Sequence, residues 1–263
     1  MDILNQYTHH YSITAADMDN NYRMTPNAVL LYYQDCWARY MSNLHLAAFD
    51  IIKQNKIWVI TQFNAWFDQA TAFWSDEVEV TVWNSEVGTM RLFADFRITK
   101  KDGSLVAHGY GSWTLLDTEA HRIAPFASLT RPVPERKETT EPRKKIVFPA
   151  SGEVMNELDH IVNSINLDFN GHVNNRTYLS IAVQTVSGQF LLNNRIAFFA
   201  IKWQHETFLG DRLHCTLMRV NEQAYLHTLN KSDGTCAAQI YTEAEPRTDW
   251  TQVADAVTRP DAD

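Results

Sequence analysis

The chain has 263 residues, of which 45% are hydrophobic and 12% aromatic, and its formal net charge is -8 at pH 7. This composition is sufficient for one large or two small folded domains and excludes a generally disordered chain. An acidic chain without a long block of lysine and arginine is not expected to bind a nucleic-acid backbone. Its cysteines, Cys36, Cys215 and Cys236, lack metal-binding spacing and cannot all pair, which favours a reducing compartment.

No apolar run is long enough to cross a membrane, and the first ten residues lack the basic and apolar regions of a signal peptide. We therefore expect a cytoplasmic protein without a membrane span. No residue pattern predicts a metal site or a cofactor.

The first 130 residues predict a helix followed by a long antiparallel meander. A short strand and turn over 11–19 precede a helix from Arg23 to Tyr40, in which Thr25 can cap the N-terminus and Pro26 takes the first helical position. A shorter helix comes next, over 47–55. The hydrophobic period then changes to two, and the strands predicted from it cover 58–67, 77–83, 89–98 and 105–116. This order of elements is an α+β arrangement.

A segment rich in proline interrupts this pattern over residues 125–150. Its prolines are Pro125, Pro132, Pro134, Pro142 and Pro149. Because proline holds a connection extended, residues 131–150 are predicted to form an interdomain linker. The alternative is an edge strand followed by a proline-rich loop.

The same order of elements returns after the linker. A strand and turn over 161–171 lead into a helix from Val173 to about Leu192. The strands predicted after it cover 195–203, 211–220, 224–229 and 236–244. The turn at Asp233 and Gly234 repeats the one at Asp102 and Gly103, which indicates a duplicated domain.

We divide the chain accordingly into four parts. These are an N-terminal domain at 1–130, the linker at 131–150, a C-terminal domain at 151–246 and a polar tail at 247–263. Asp17-Met18-Asp19 in the first domain also resembles Asp168-Phe169-Asn170 in the second, within one or two residues.

One polar run, Asp168-Phe-Asn-Gly-His-Val-Asn-Asn-Arg-Thr-Tyr178, follows neither a helical nor a strand period. It leads into the helix predicted for the second domain, so Asp168, Asn170 and His172 are expected on a loop that feeds a helix N-terminus. The unpaired N–H groups and partial positive charge of such a terminus suit a developing oxyanion. A capped polar turn with a surface histidine is the alternative.

The run resembles the active-site signature of the acyl-acyl-carrier-protein thioesterases, and the resemblance extends over most of the chain. It implies a double hotdog: two tandem repeats in which an antiparallel sheet wraps around a long helix. It also implies that the second hotdog is catalytic, through Asp168, Asn170, His172 and Glu206. Members from plants have a cysteine directly after that glutamate, whereas this chain has Thr207, which argues against a cysteine nucleophile.

The resemblance further implies hydrolysis of fatty acyl-acyl-carrier protein, which releases free fatty acid and terminates its synthesis. Glu206 is the candidate base, with a covalent acyl intermediate as the alternative. His172 would share the water, Asp168 would fix the histidine tautomer or hold Asn170, and Asn170 with helix N-terminal amides would face the oxyanion.

The first hotdog is then expected to shape the acyl pocket. Its candidate lining residues are Met24, Val29, Leu30 and Tyr33, although burial in the core explains them equally well. The position that matches His172 is placed near Asn21 or Tyr22, and no glutamate clearly matches Glu206.

The implied partner is an acyl carrier protein, which is acidic, so docking on this acidic chain requires a local basic patch. The candidates for it are Arg143, Lys144, Lys145, Arg176 and Lys202. A further homodimer is compatible with the fold but not required. The alternatives on the same scaffold are an acyl-CoA thioesterase, an acyl dehydratase and a non-catalytic acyl-binding sensor.

Overall fold

The structure, a computed structural model, describes residues 4–19, 22–68, 70–143, 148–149 and 152–247. In the first half the strands are β1 (Tyr7–Ser12), β2 (Lys56–Phe67), β3 (Glu77–Val87), β4 (Leu92–Lys100), β5 (Leu105–Asp117) and β6 (Arg122–Ala124). In the second half they are β7 (Glu153–Ile161), β8 (Asn194–Trp203), β9 (Arg212–Arg219), β10 (Ala224–Lys231) and β11 (Cys236–Pro246). The α-helices are α1 (Pro26–Asn43), α2 (Ala48–Ile51), α3 (Asn175–Gln184) and α4 (Gly188–Asn193).

The strands form one antiparallel sheet in the order β1-β3-β4-β5-β2-β8-β11-β10-β9-β7, and β6 pairs with β5. The order within the second half mirrors the order within the first, so a pseudo-two-fold relation links the halves. The seam between them is the pairing of β2 with β8, in which Asn64 lies opposite Ala200. This is the predicted α+β double hotdog.

Helix α1 begins where the sequence indicates. The Thr25 side chain accepts a hydrogen bond from the Ala28 N–H at 3.1 Å, and Pro26 is the first helical residue. The apolar face of α1 is buried against β1 and β3, and this burial is the main source of helix stability. No helix in the described ranges is long and apolar enough to span a bilayer.

The helix predicted from Val173 to about Leu192 is wrong in its length, because it is broken between α3 and α4. Thr185 ends α3 and its buried hydroxyl donates to the Ala182 carbonyl at 2.7 Å. The Ser187 side chain then accepts from the Phe190 N–H at 3.1 Å, so it caps a new helix. A continuous apolar period can therefore run across two short helices.

The sequence pattern does not predict strands β6 and β7, and it places β1 too late in the chain. Strand β7 covers Glu153–Ile161, whereas the sequence pattern placed a strand and turn from 161. Strand β1 likewise ends at Ser12, where a strand starting at Tyr11 was expected, and the short β6 was missed. Since β7 lies at the edge of the sheet and is exposed along most of its length, its residues show no apolar alternation.

The described part of the linker lies against the first half of the sheet. Trp83 Nε1 donates to the Glu138 carbonyl at 2.7 Å, and the Arg136 N–H donates to the Asn84 carbonyl at 2.8 Å. The guanidinium groups of Arg97 and Arg136 lie 5.0 and 5.4 Å from the Trp83 ring. The segment therefore covers the sheet instead of only spacing two domains.

Arg143 joins this cover to a buried carboxylate. It forms an ion pair with Asp95, whose side chain is 0% exposed. The prediction that Arg143 belongs to a basic docking patch is therefore wrong, because the Asp95 carboxylate already neutralises its charge. Lys144 and Lys145 lie outside the described residues, while Lys202 is exposed and remains a candidate.

The predicted tail also begins later than expected. Arg247 is buried, and its N–H donates to the Asn193 carbonyl at 3.0 Å. The rest of the predicted tail, 248–263, lies outside the described residues.

Candidate active site

A single carboxylate organises the loop before α3. Asp168 Oδ1 accepts hydrogen bonds from the backbone N–H groups of Asn170, at 2.8 Å, and His172, at 3.3 Å. The Asp168 N–H donates to the His172 carbonyl at 2.8 Å, which closes the loop. Gly171 has a φ of 78°, a conformation that glycine adopts without steric cost. Asp168 thus holds the loop backbone, including the Asn170 N–H, and makes no hydrogen bond to the His172 imidazole among the described residues.

Glu206 lies after β8 and faces the imidazole of His172. His172 Nδ1 and Glu206 Oε1 are 3.7 Å apart, which is longer than a direct hydrogen bond. The side chains are 31% and 53% exposed, so water reaches both. The Phe208 ring meets the His172 ring edge-on, with 5.1 Å between the centroids. The imidazole therefore lies between an aromatic ring and a carboxylate.

Thr207 joins the two loops that carry these side chains. Its carbonyl accepts from the Val173 N–H at 2.9 Å, and its hydroxyl accepts from the Tyr178 hydroxyl at 2.9 Å. Thr207 is 0% exposed, and burial raises the pKa of Tyr178 to about 12, so this phenol stays protonated. Thr207 therefore links the loop that carries His172 to the loop that carries Glu206 through these hydrogen bonds.

A cleft with a volume of about 210 Å³ runs past this group. Asp168, Asn170, His172 and Glu206 all line it, so the structure brings the four predicted catalytic residues together. The opposite wall comes from the first half of the chain. It includes the apolar residues Trp58, Ile60 and Trp113.

Trp113 makes this wall rigid. Its ring stacks on Trp37 with 3.9 Å between centroids, and its Nε1 donates to the Tyr33 hydroxyl at 2.7 Å. Trp58 meets Trp37 edge-on, at 5.4 Å, and donates its Nε1 to the Leu46 carbonyl at 2.8 Å. The cleft thus pairs a polar, water-accessible side with a fixed aromatic side.

The predicted acyl-pocket residues lie elsewhere. Val29, Leu30 and Tyr33 are 0% exposed in the core. They line neither this cleft nor a larger cavity of about 330 Å³, which lies between the halves at the other end of the β2–β8 pairing. Met24 lines that larger cavity. A helical apolar period is the same for a core residue and for a cavity wall, so it cannot distinguish them.

The cleft holds one donor that was not anticipated, Trp203, and one residue of the expected helix N-terminus, Asn175. Trp203 lines it, and the indole N–H is buried without a hydrogen-bond partner among the described residues. Asn175, the first residue of α3, also lines it. The N–H groups of Arg176 and Thr177 are already bonded to Asn174, at 3.0 and 2.8 Å, so they are not free for an oxyanion.

Both halves of this sheet and the cleft between them define a hotdog protein of the thioesterase type. The chain matches the acyl-ACP thioesterase N-terminal domain over residues 4–128 and the acyl-ACP thioesterase C-terminal domain over residues 150–251. It belongs to the acyl-ACP thioesterase family.

Curated relatives and solved structures agree with this assignment. An acyl-[acyl-carrier-protein] hydrolase, chloroplastic, of Cuphea viscosissima is 23% identical over 217 residues, which are 75% of this chain and 51% of the relative. The chain thus spans about half the length of the curated relatives it matches.

The fold is shared with solved acyl-ACP thioesterases. The structure from Bacteroides thetaiotaomicron has a TM-score of 0.83 and 16% identity, covering 92% of this chain and 98% of that one. The 12:0-ACP thioesterase from Umbellularia californica has a TM-score of 0.80 and 16% identity, covering 93% and 99%.

Proposed function

We propose that the chain hydrolyses fatty acyl thioesters of acyl carrier protein and releases free fatty acid. The observation that carries the proposal is the pair of His172 and Glu206, which lie 3.7 Å apart in the cleft with both side chains accessible to water. The fixed aromatic wall opposite them suits an apolar acyl chain. The family supplies the class of substrate, and the chloroplastic relative is named for the same chemistry.

One water can bridge the two side chains from the side, because the atoms lie too close together for a water between them. A molecule about 2.8 Å from both His172 Nδ1 and Glu206 Oε1 would form two ordinary hydrogen bonds. Glu206 takes a proton as the water oxygen bonds to the thioester carbon, and the C–S bond then breaks. The proton passes to the leaving thiolate, which restores the glutamate. Thiolates leave easily, so no stronger acid is required.

The developing oxyanion needs donors at its position. The Asn170 side chain, the Asn175 N–H and the Trp203 indole N–H are proposed for this role. All three residues line the cleft. The Trp203 N–H gains most from a ligand, because a buried donor without a partner costs free energy until one binds.

Thr207→Ala is expected to lower stability and spare catalysis. The change leaves the buried Tyr178 hydroxyl without its acceptor, which costs about 1–3 kcal/mol of unfolding free energy. Denaturant unfolding measures this cost, and kcat is expected to stay within a few-fold of wild type. Thr207→Ser keeps the hydroxyl and serves as the control. Loss of turnover in a folded Thr207→Ala protein would instead indicate a hydroxyl nucleophile.

A hydrolysis assay tests the function itself. The full chain is offered acyl-carrier-protein esters and CoA esters of graded acyl length, and thiol release is followed. Faster turnover of carrier-linked esters is expected. Equal or faster turnover of CoA esters would make the chain an acyl-CoA thioesterase. Tight binding of both sets without thiol release would make it an acyl-binding sensor.

A further inference from the structure

A second cavity of about 330 Å³ lies between the halves, at the end of the β2–β8 seam opposite the catalytic cleft. Its walls come from the first-half loop before α1, from the chain after β2, from the start of β8 and from α3. The catalytic cleft takes the loop before α3, the chain after β8 and the start of β2. The cavity is therefore the pseudo-two-fold counterpart of the cleft.

The loop before α1 and the loop before α3 contain matching hydrogen bonds. The Asp19 N–H donates to the Arg23 carbonyl at 2.8 Å, and the Arg23 N–H donates to Asp19 Oδ1 at 3.0 Å. Asp168 and His172 make the same two bonds. Tyr22, at a φ of 60°, occupies the place of the left-handed glycine in the catalytic loop. The counterpart of Asp168 is thus Asp19, and the counterpart of His172 is Arg23, which corrects the register expected from the sequence.

A lysine identifies the counterpart of the catalytic glutamate. Lys231 Nζ bonds to the Glu206 carbonyl at 3.4 Å and pairs with Asp211 at 3.2 Å. Lys100 Nζ likewise bonds to the Thr71 carbonyl at 3.3 Å and pairs with Asp76 at 3.1 Å. Thr71 therefore takes the place of Glu206. Without a histidine or a glutamate at these places, this cavity has no counterpart of the proposed water-activating pair.

One arginine of the cavity, Arg176, has no ion-pair partner among the described residues. Arg195 pairs with Glu245, Asp19 Oδ1 accepts from the Arg23 backbone N–H, and the carboxylate of Asp68 lies 3.4 Å from His108 Nδ1, which is a cation only when protonated. Arg176 has no such carboxylate among the described residues. Its Nε is buried and lacks a hydrogen-bond partner there, as does Asn27 Oδ1 on the facing helix.

The rest of the lining is mainly apolar. It includes Phe67, Val106, Val183, Leu191 and Ile196. A cavity with one unpaired guanidinium and an apolar wall suits a monoanion with a hydrocarbon tail. A phosphate dianion fits less well, because, of the described residues, Arg176 is the one lining arginine offered to it and the carboxylates of Asp19 and Asp68 line the same cavity.

We propose that this cavity is a non-catalytic binding site for free fatty acids, with the carboxylate on Arg176 and the chain along the apolar wall. The choice of ligand rests on the geometry and charge of the cavity. It coincides with the product class of the proposed hydrolysis, so the site would sense accumulated product. Binding alone tests it, independently of turnover.

The probe is a fatty acid that carries a photoreactive diazirine on its chain. After irradiation with the full chain, peptide mass spectrometry is expected to find label on the walls of the second cavity, around 67–72 and 183–196. Unlabelled dodecanoate is expected to compete. The matching fatty alcohol, which lacks the charge, is expected to label this cavity about tenfold less, the equivalent of roughly 1.4 kcal/mol.

Arg176→Met is expected to reduce this labelling about tenfold, whereas Arg176→Lys retains most of it. The matched control is Arg212→Met, which removes an exposed arginine of β9 that pairs with Asp159 of β7 and is expected to label as wild type. Melting curves confirm that the variants are folded. Label confined to peptides around Trp58 and Trp113, equal labelling by the alcohol, or unchanged labelling in folded Arg176→Met would each overturn the proposal.

Discussion

Glu206→Gln is expected to lower kcat by roughly 10²–10⁴-fold, the usual contribution of a positioned base. At ~1.4 kcal/mol per tenfold, this raises the barrier by about 3–5 kcal/mol. Glutamine keeps the shape of the side chain and removes the base. The loss should appear in kcat more than in KM, because the acyl chain binds to the apolar wall. Steady-state kinetics on carrier-linked substrate measures both parameters.

His172→Ala is expected to cost a similar factor, and the double variant little more than either single one. Both side chains act on one water in this mechanism, so their effects should not add. Glu222→Gln, at an exposed turn between β9 and β10, is the matched control and should be silent. Near-additive losses would place His172 and Glu206 in separate steps, and full activity of Glu206→Gln would remove it from the mechanism.

Arg143→Met is expected to lower the free energy of unfolding by roughly 3–5 kcal/mol, the cost of breaking a buried ion pair from one side. The Asp95 carboxylate is 0% exposed. It accepts from the Thr140 N–H at 2.7 Å and the Thr140 hydroxyl at 2.8 Å, and also from Ser85. Without Arg143 it remains a buried charge with hydrogen bonds but no counter-charge. Denaturant unfolding at neutral pH measures the effect.

Two further variants separate the contribution of the Arg143–Asp95 ion pair from other effects of the substitution. Asp95→Asn combined with Arg143→Met removes both charges, so it should recover much of the loss. Arg136→Met breaks a more exposed pair with Glu138 on the same segment and should cost at most about 1 kcal/mol. If Arg143→Met unfolds like Arg136→Met, the linker is not anchored through Asp95.

Local signals explain what was predictable in the fold. Thr25 and Pro26 mark the start of α1, and Asp-Gly turns mark the matching hairpins, because each fixes the backbone through its own chemistry. The polar edge strand β7 has no apolar period, so no sequence pattern marks it. The break between α3 and α4 depends on bonds made by Thr185 and Ser187, which compete with a continuous helix.

The active-site cleft also has one part that local sequence signals predict and one part that they do not. The polar run from Asp168 to His172 is contiguous, so one loop brings those side chains together. The wall formed by Trp58 and Trp113 comes from the other half through the pairing of β2 with β8, and no local pattern contains that information. The register of Asp19 and Arg23 became evident only from matching backbone bonds, since the two loops share few residue types.

The acidic edge of the sheet limits how copies of this chain can associate. Glu153, Glu157 and Asp159 on β7 reach across to Arg219, His214 and Arg212 of β9. A second copy that extended the sheet antiparallel at this edge would place these carboxylates beside their own copies, while the arginines and the histidine of β9 are already paired with them. Pairing of two copies through β7 would therefore form no new ion pair with these cations, and an antiparallel contact of this kind would close as a dimer instead of a fibre.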